Sequence, residues 1–351
     1  MTPSPGHSDR LNARSRGRLR NFGQQAGFDE PEVEDTRVKR CGSLTWITVL
    51  ATTLASAQNA GAPTAPTRSP SPGTDSHASN AAPAPAPLSG EEIKNLIRQA
   101  AEKDMENDKK QRDYTYRERV EEHKLDGRGE IKSTEIRVYD VLEIYGEQVR
   151  RLVSKDGKPL PEKDAAKEEE KVQKVIDKRK NESDSDREKR QKKEEKDREH
   201  DREFVKEVAD AYAFTLAGVE NLDGRETYVI AAEPRPGFEP HTREAKFLPK
   251  FRFRLWLDRI EDQWVKLYAT CIDTVSIGLF LARIHKGSHI LIEATRVNDE
   301  VWLPRHIALH IDARLALLKN IELDQDLTYK DYKKFRTQTR IVGMEEVNDP
   351  H

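Results

Sequence analysis

Hydrophobic positions change period along the chain, and each change marks an element. Over "GEEIKNLIRQAAEKDMEND", Ile93, Leu96, Ile97 and Ala100 recur at helical spacing, which predicts a helix with one narrow apolar stripe. Ser89 stands where it can cap that helix, with Glu91 and Glu92 in the first turn. From Tyr114 the period falls to two. "YTYRERVEEHKLD" and "EIKSTEIRVYDVLEIYG" flank Gly127-Arg128-Gly129 and predict a hairpin, and "QVRRLVS" turns at Asp156-Gly157. Alternation returns after Tyr212: a hairpin around Asp223-Gly224, a second over "FRLWLDRIEDQWVKLYATCID", a third joining "SHILIEATRV" to "VNDEVWLPRHIALHI" across Asn298-Asp299, and a last pair of "RHIALHIDARL" with "IELDQDLTYKDYKKF". Successive hairpins without intervening helices predict an antiparallel meander and argue against a parallel sheet. "IDTVSIGLFLARIHKG" is apolar on all sides, so periodicity leaves it open between strand and helix.

In the penultimate stretch Val301, Leu303, Ile307, Leu309 and Ile311 share one face, interrupted by Arg305, and Trp302, Pro304, His306, Ala308 and His310 share the other. Alternation on the neighbouring strands assigns Leu255, Leu257, Val265, Leu267, Ile290 and Ile292 to the same aliphatic surface. Those six with Leu303, Ile307, Leu309 and Ile311 are the candidate ligand-groove residues.

The charged positions divide the chain further. Residues 162–203 are almost entirely Lys, Arg, Asp, Glu and Gln, with Ala165, Val172, Val175 and Ile176 as a thin apolar stripe. Ser185 with Glu188 reads as a capping box for a second helix, held mainly by i,i+4 charge pairs until Phe204, Val205 and Val208. The segment reads either as a partner-binding arm or as a solvated helical insertion or partly disordered loop spanning 161–207. Near-equal signs argue against a polyanion ligand, and 61 basic against 63 acidic residues argue against nucleic acid.

Composition sets the ends apart. Residues 1–36 lack apolar periodicity and read as disordered. In 37–57, basic Arg37, Lys39 and Arg40 precede a short apolar run, Leu44 to Leu54, and Ala55-Ser56-Ala57. That is the layout of a secretory signal peptide cleaved after Ala57, and the run is shorter than the roughly 20 residues a spanning helix needs. Because such a signal seldom starts so late, translation is expected to begin near Val38, with 1–36 a mis-annotated leader. Residues 58–88, mostly Ala, Pro, Ser, Gly and Thr, read as a tether. The folded domain is expected over 89–340, followed by a tail at 341–351. Cys41 precedes the apolar run and Cys271 stands alone, so the exported chain has no intramolecular disulfide.

The order "YVIAAEP" (228–234), "LWLDRIEDQWVKLYA" (255–269) and "VNDEVWLP" (297–304), behind a helix and a signal peptide, resembles the LolA-like superfamily of periplasmic lipoprotein-sorting carriers and relatives such as the regulator RseB. Leu255, Leu257, Asp258 and Val265 sit where that pattern expects them, as do Trp302, Leu303 and Pro304. The resemblance covers about 91–336 without the insertion. It implies an α+β fold: a strongly curved antiparallel sheet, an incomplete β-barrel, with an N-terminal helix and, here, a charged helical insertion. It also implies a periplasmic or secreted monomer whose concave face takes a lipid or lipoprotein acyl group. Each buried methylene contributes ~0.8 kcal/mol, so a long chain needs no polar recognition. The alternative is a non-enzymatic sensor or scaffold that binds an envelope protein through the sheet or the insertion. The insertion and the "SIGLFLARI" segment depart from simple carriers, and the latter could itself fill the groove.

Catalytic motifs with the right context are absent: there is no Gly-x-Ser-x-Gly and no phosphate-cradling glycine loop. Asp258 is expected to end a strand and Asp262 to sit in a turn. His306 and His310 on one strand face are about 13 Å apart at ~3.3 Å per residue, too far to share a metal ion. His285 and His289 could approach across Lys286-Gly287, but no third ligand joins them. No catalytic residue, metal or cofactor is therefore assigned.

Overall fold

The structure, a computed structural model, describes residues 88–277, 282–315 and 319–335. The leader, signal segment and tail, all of the tether but Leu88, and residues 278–281 of the undecided segment lie outside the described residues. No helix among the described residues is long and apolar enough to cross a membrane.

Helix α1 (Gly90–Gln111) opens on a reciprocal cap: Ser89 Oγ accepts the Glu92 N–H at 3.3 Å and Glu92 Oε2 accepts the Ser89 N–H at 2.7 Å. Strands β1 (Tyr114–Leu125), β2 (Ile131–Ile144), β3 (Glu147–Lys155) and the short β4 (Lys158–Pro159) follow. Then come helices α2 (Glu162–Lys180) and α3 (Asp184–Ala211). The remaining strands are β5 (Tyr212–Leu222), β6 (Arg225–Pro234), β7 (Phe251–Asp258), β8 (Trp264–Cys271), β9 (Val275–Ile277), β10 (Ala282–Ile284), β11 (His289–Val297), β12 (Val301–Leu315) and β13 (Lys319–Lys334), with a 3-10 turn at Ala245–Lys250 before β7. Every pairing is antiparallel, in the order β4-β3-β2-β1-β13-β12-β11-β8-β7-β6-β5, and β10 joins the far end of β12 with β9 outside it. The two ends of that order do not pair, so the sheet is open: an α+β architecture, one curved antiparallel sheet with helices on it.

The tight turns follow from their residues. Asp156-Gly157 and Asp223-Gly224 have consecutive positive φ angles, the geometry that lets a two-residue loop match strand twist; Asn298-Asp299 share it in a three-residue loop completed by Glu300. Tyr145-Gly146 does the same between β2 and β3 at φ of 50° and 82°, although tyrosine is an unusual residue for that conformation.

One row of side chains crosses ten strands in register: Leu216, Ile230, Leu255, Leu267, Ile292, Ile307, Leu327, Val120, Arg137 and Lys155. The inner face is thus aliphatic from β5 to β1 and cationic at β2 and β3. The neighbouring row turns polar sooner, running from Ile290 and Leu309 to Gln325, Glu122 and Glu135. Ile93, Ile97 and Ala100 of α1 pack against the aliphatic part in a single core that draws on β1, β2, β5–β13 and Phe204 of α3.

The charged insertion forms two helices. Val172 of α2 packs with Ile144 and Val149, and Glu168 accepts the Leu152 N–H at 3.1 Å, so α2 closes the open edge of β3. α3 is capped by Ser183, whose Oγ accepts the Asp186 N–H at 3.2 Å, not by Ser185. Asparagine 181 and Glu182 end the preceding helix early enough for Ser183 to take the extended conformation a cap needs. The last two turns of α3 bury Phe204, Val205, Ala209 and Ala211.

Glu143, beside the β2–β3 turn, has Oε1 on the Gly146 N–H and a buried Oε2 with no hydrogen-bond partner. Burial pushes its carboxyl up to about 7, against the Gly146 amide and Arg112, which act the other way. A raised folded-state pKa means a contribution to stability that is complete below the unfolded value and lost as pH rises through about 7. Glu143→Gln is therefore expected to raise Tm at pH 8 by roughly 3 °C or more, with the gain vanishing near pH 4.5. Thermal unfolding followed by circular dichroism at both pH values tests this; an equal gain at both would contradict it.

Candidate functional site

The stripe that α1 presents to the sheet changes character halfway. Ile93, Ile97 and Ala100 are buried in the core. The same stripe continues as Asp104, Asn107, Asp108 and Gln111, and these four form one wall of a cleft. A helix that ends its apolar stripe above an aliphatic sheet face cannot seal that face.

The opposite wall is where two strands part. β11 pairs with β8 only from His289–Glu293 against Thr270–Lys266. A bulge at Glu293/Ala294 turns β11 away with β12, and another at Trp256/Leu257 holds Trp264 on β7. Arg305, the apparent interruption in the aliphatic face, is the unpaired residue of the first bulge; its guanidinium bonds Asp223 at 2.6 Å. The cleft between α1, β8, β11 and β12 spans about 790 Å³, counting the part open to solvent.

Six of the ten candidate groove residues line it: Val265, Leu267, Ile290, Ile292, Leu303 and Ile307. Ile292 is the one among the ten that is only half-buried. Leu255, Leu257, Leu309 and Ile311 belong to the main core and do not line the cleft. Val265 and Trp302 also pack with Val229 and Trp256 on the other side of the sheet. The described residues of the undecided segment form β9 and β10, at the far end of β12, and none lines the cleft. The alternation argument did not reach Gln263, Trp264, Ala294, Trp302 and Pro304, nor the four polar residues of α1. Those four were readable, because polar side chains continue a buried stripe at the same spacing; the strand residues depend on bulges, which alternation cannot place.

A polar network bridges the parted strands. Glu261, in the β7–β8 turn, accepts from Arg225 at 2.8 Å and from Trp302 Nε1 at 2.8 Å, and is ion-paired with Arg296. Lys103 of α1 donates to the Glu261 carbonyl at 2.5 Å and pairs with Asp262 at 3.2 Å. Asn107 Oδ1 accepts the Trp302 N–H at 3.3 Å. Asp258 ends β7 and Asp262 lies in the turn at φ 47°. Burial works against ionising Asp258, but the Arg225 guanidinium and the Glu261 and Ile260 amides outweigh it and hold the carboxyl below its usual range.

The histidines occupy the outer face, held by carboxylates. His306 bonds Asp326 at 2.6 Å and Glu293 at 3.3 Å, His310 bonds Asp324 at 2.6 Å, and His285 bonds Asp312 at 2.9 Å. His289 stacks on His310 with ring centroids 5.1 Å apart. Burial lowers the affinity of His306 for its proton, yet Asp326 and Glu293 raise its pKa above the ordinary value. Among the described residues no group of three or more His, Cys, Asp or Glu is placed to hold a metal ion. Burial pushes the Cys271 thiol up to about 11, so at neutral pH it is a protonated thiol bonded to the Asp273 carbonyl at 3.0 Å.

No family model matches the chain, and no curated protein does. Solved structures similar to it include a domain named for outer membrane lipoprotein sorting from Vibrio parahaemolyticus, 11% identical over 70% of this chain and 95% of that one, with a TM-score of 0.27. A LolA superfamily protein from Nitrosomonas europaea is 12% identical over 69% and 92%, also at 0.27. Pseudomonas aeruginosa MucB in its complex with MucA is 10% identical over 68% and 93%, at 0.18. The fold itself is carried by the strand order and register given above; TM-scores of 0.27 and below lend it no further weight.

Glu261→Ala is expected to destabilise the protein by about 1.5–3 kcal/mol, the range for losing hydrogen bonds to charged partners. The loss should be local: amides of 294–297 and 301–303 exchange faster, while those of 119–124 are unchanged. Denaturant unfolding with hydrogen exchange checks both; uniform acceleration across the sheet would contradict a bridging role.

Proposed function

We propose that the protein is an exported binder of a lipid or lipoprotein acyl chain, acting as a carrier or chaperone, with the cleft between α1 and strands β8, β11 and β12 as its site. The observation that carries this reading is the cleft itself: aliphatic side chains of three strands, open to solvent, beneath a helix whose apolar stripe has run out. Apolar concavities with a few polar groups are where small ligands bind. An aliphatic chain laid along Leu267, Ile290, Ile292 and Ile307 gains ~0.8 kcal/mol per methylene.

The volume bears on how a ligand enters. A cleft of about 790 Å³, part of it open to solvent, takes the end of a chain as it stands, and a longer chain requires α1 and the β7–β8 turn to separate. The Glu261 network is the set of contacts that separation breaks. Export through the signal segment at 37–57 belongs to the same reading, since an envelope carrier works outside the cytoplasm.

The alternative of a protein-binding arm has less behind it. About half of the charges on α2 and the shaft of α3 are paired within their own helices, as in Lys167–Asp164 at 3.1 Å, Lys174–Glu170 at 2.9 Å and Arg198–Glu195 at 2.6 Å. Such pairs leave little charge pattern for a partner to read.

Displacement of a neutral fluorescent probe, N-phenyl-1-naphthylamine, by twelve-carbon amphiphiles tests the site. Ile292→Glu places a charge on the half-buried wall and is expected to weaken probe and amphiphile binding at least tenfold, since a charge transferred to an apolar wall costs several kcal/mol. Thermal unfolding should stay cooperative. A variant that binds as the parent does would end the proposal. Native mass spectrometry of protein from its own envelope should show a co-purifying lipid mass.

A further inference from the structure

One row of the outer face reads, strand by strand, Thr270, His289, His310, Asp324, His123 and Thr134, across β8, β11, β12, β13, β1 and β2. Spacing along the chain offers His306 with His310 and His285 with His289 as pairs; the sheet makes a different one. His289 and His310 stand directly opposite each other on β11 and β12. Their rings are stacked, with centroids 5.1 Å apart and planes inclined by 24°. The hydrogen bonds fix which nitrogen each ring leaves open. His289 Nδ1 lies 2.9 Å from the Gly287 carbonyl, and a carbonyl only accepts, so that nitrogen carries a proton. His310 Nδ1 lies 2.6 Å from an Asp324 carboxylate oxygen, which when ionised accepts in the same way. In the neutral ring the lone pair of each histidine therefore falls on Nε2, and neither Nε2 has a hydrogen-bond partner among the described residues.

We propose that His289 and His310 form a two-nitrogen site for Cu(II) on the outer face of the sheet, independent of the cleft. A metal-ligating histidine characteristically gives its other ring N–H to a carboxylate or a backbone carbonyl, which sets the tautomer and raises the basicity of the ligating nitrogen. Both rings have such a partner, one of each kind. His123, further along the row, does not: its Nδ1 meets the Thr134 hydroxyl at 2.8 Å and its Nε2 faces Glu121 at 3.4 Å. Directly opposed Cβ atoms sit about 4.5–5.5 Å apart, a span that two imidazoles bridge to one ion by turning about their own side-chain bonds. Two imidazoles completed by water make a tetragonal nitrogen and oxygen set, which suits Cu(II) and falls short of the three or four protein ligands of a zinc site. Asp324 beside the pair, and Asp312 two residues beyond His310 on the same face, add negative charge that favours a cation there.

The experiment titrates Cu(II) into the untagged full chain by calorimetry, with glycine as competing chelator, and Zn(II) in parallel. Cu(II) is expected to bind at the pair more tightly than Zn(II), and electron spin-echo modulation of the copper complex should show two equatorial imidazoles. His289→Ala and His310→Ala should each weaken Cu(II) about a hundredfold, because the second ligation is intramolecular. Asp324→Asn, which alters the group that orients His310, should weaken it about tenfold. Carbethoxylation mapped by mass spectrometry locates the site without a variant: Cu(II) should protect His289 and His310 and leave His123 and His241 reacting as before. A spectrum with one imidazole or none, protection that falls on other histidines, or a His289→Ala chain that binds Cu(II) as the parent does overturns the proposal. The spectrum and the protection map on the unaltered chain are decisive even where a variant fails to fold.

Discussion

The inner face of the sheet is the constraint to which everything else answers. A row that is aliphatic across eight consecutive strands, from Leu216 to Val120, offers water a broad apolar surface, and at about 25 cal/mol per Å² such a surface dominates the energetics of the domain. It can be withdrawn from water only by curving the sheet on itself or by laying other elements over it. Both happen. α1, the final turns of α3 and Leu248 of the 3-10 turn occupy the hollow, and the row ends in Arg137 and Lys155 where cover gives out. Beyond that point the inner face is ionic. Glu118 and Arg150 bond at 2.6 Å, with Glu122, Arg137 and Gln325 beside them. Burial drives the Glu118 carboxyl up despite Arg150, so this end is held by paired polar groups, which repay their desolvation only when the pairing is complete.

The cleft arises where two departures from regularity coincide. Bulges at Trp256/Leu257 and Glu293/Ala294 end the β8–β11 ladder, and α1 exchanges isoleucine and alanine for Asp104, Asn107, Asp108 and Gln111 over that spot. Either alone would be repaired. An apolar end to α1 would fill the gap with core, and an unbroken ladder would leave the polar end of α1 on a closed surface. Both violate local consistency at one place, and such places are where function concentrates.

Much of this was legible before any coordinates. Alternation gave the meander and its hairpins, because the strands are long and their turns carry Asp-Gly or Asn-Asp pairs whose left-handed geometry is set locally. Ser89 and Glu92 gave the first helix its boundary. The inner-face residues came from the same alternation, and it could not separate those that line the cleft, such as Ile292 and Ile307, from Leu255 and Ile311, which are core. That difference depends on what lies above each residue, a tertiary fact with no local signal. Gln111 and Gln263 show the same limit from the other side: a glutamine at a helix end or beside a turn reads as surface, and only packing reveals it as buried.

The charged insertion is bound to the cleft more closely than its composition suggests. An isolated helix of i,i+4 ion pairs is marginal, each pair contributing roughly 0.3–0.5 kcal/mol, so α2 and α3 depend on the contacts they make with the sheet and with α1. α2 gains them by closing the β3 edge through Val172 and Glu168. The shaft of α3 touches the end of α1 through Arg112, which lies 3.7 Å from Glu194 and 3.8 Å from Asp108. Asp108 is a wall of the cleft. The insertion and the cleft are therefore joined through one guanidinium, which Glu194 of α3 shares with Asp108 of the cleft wall.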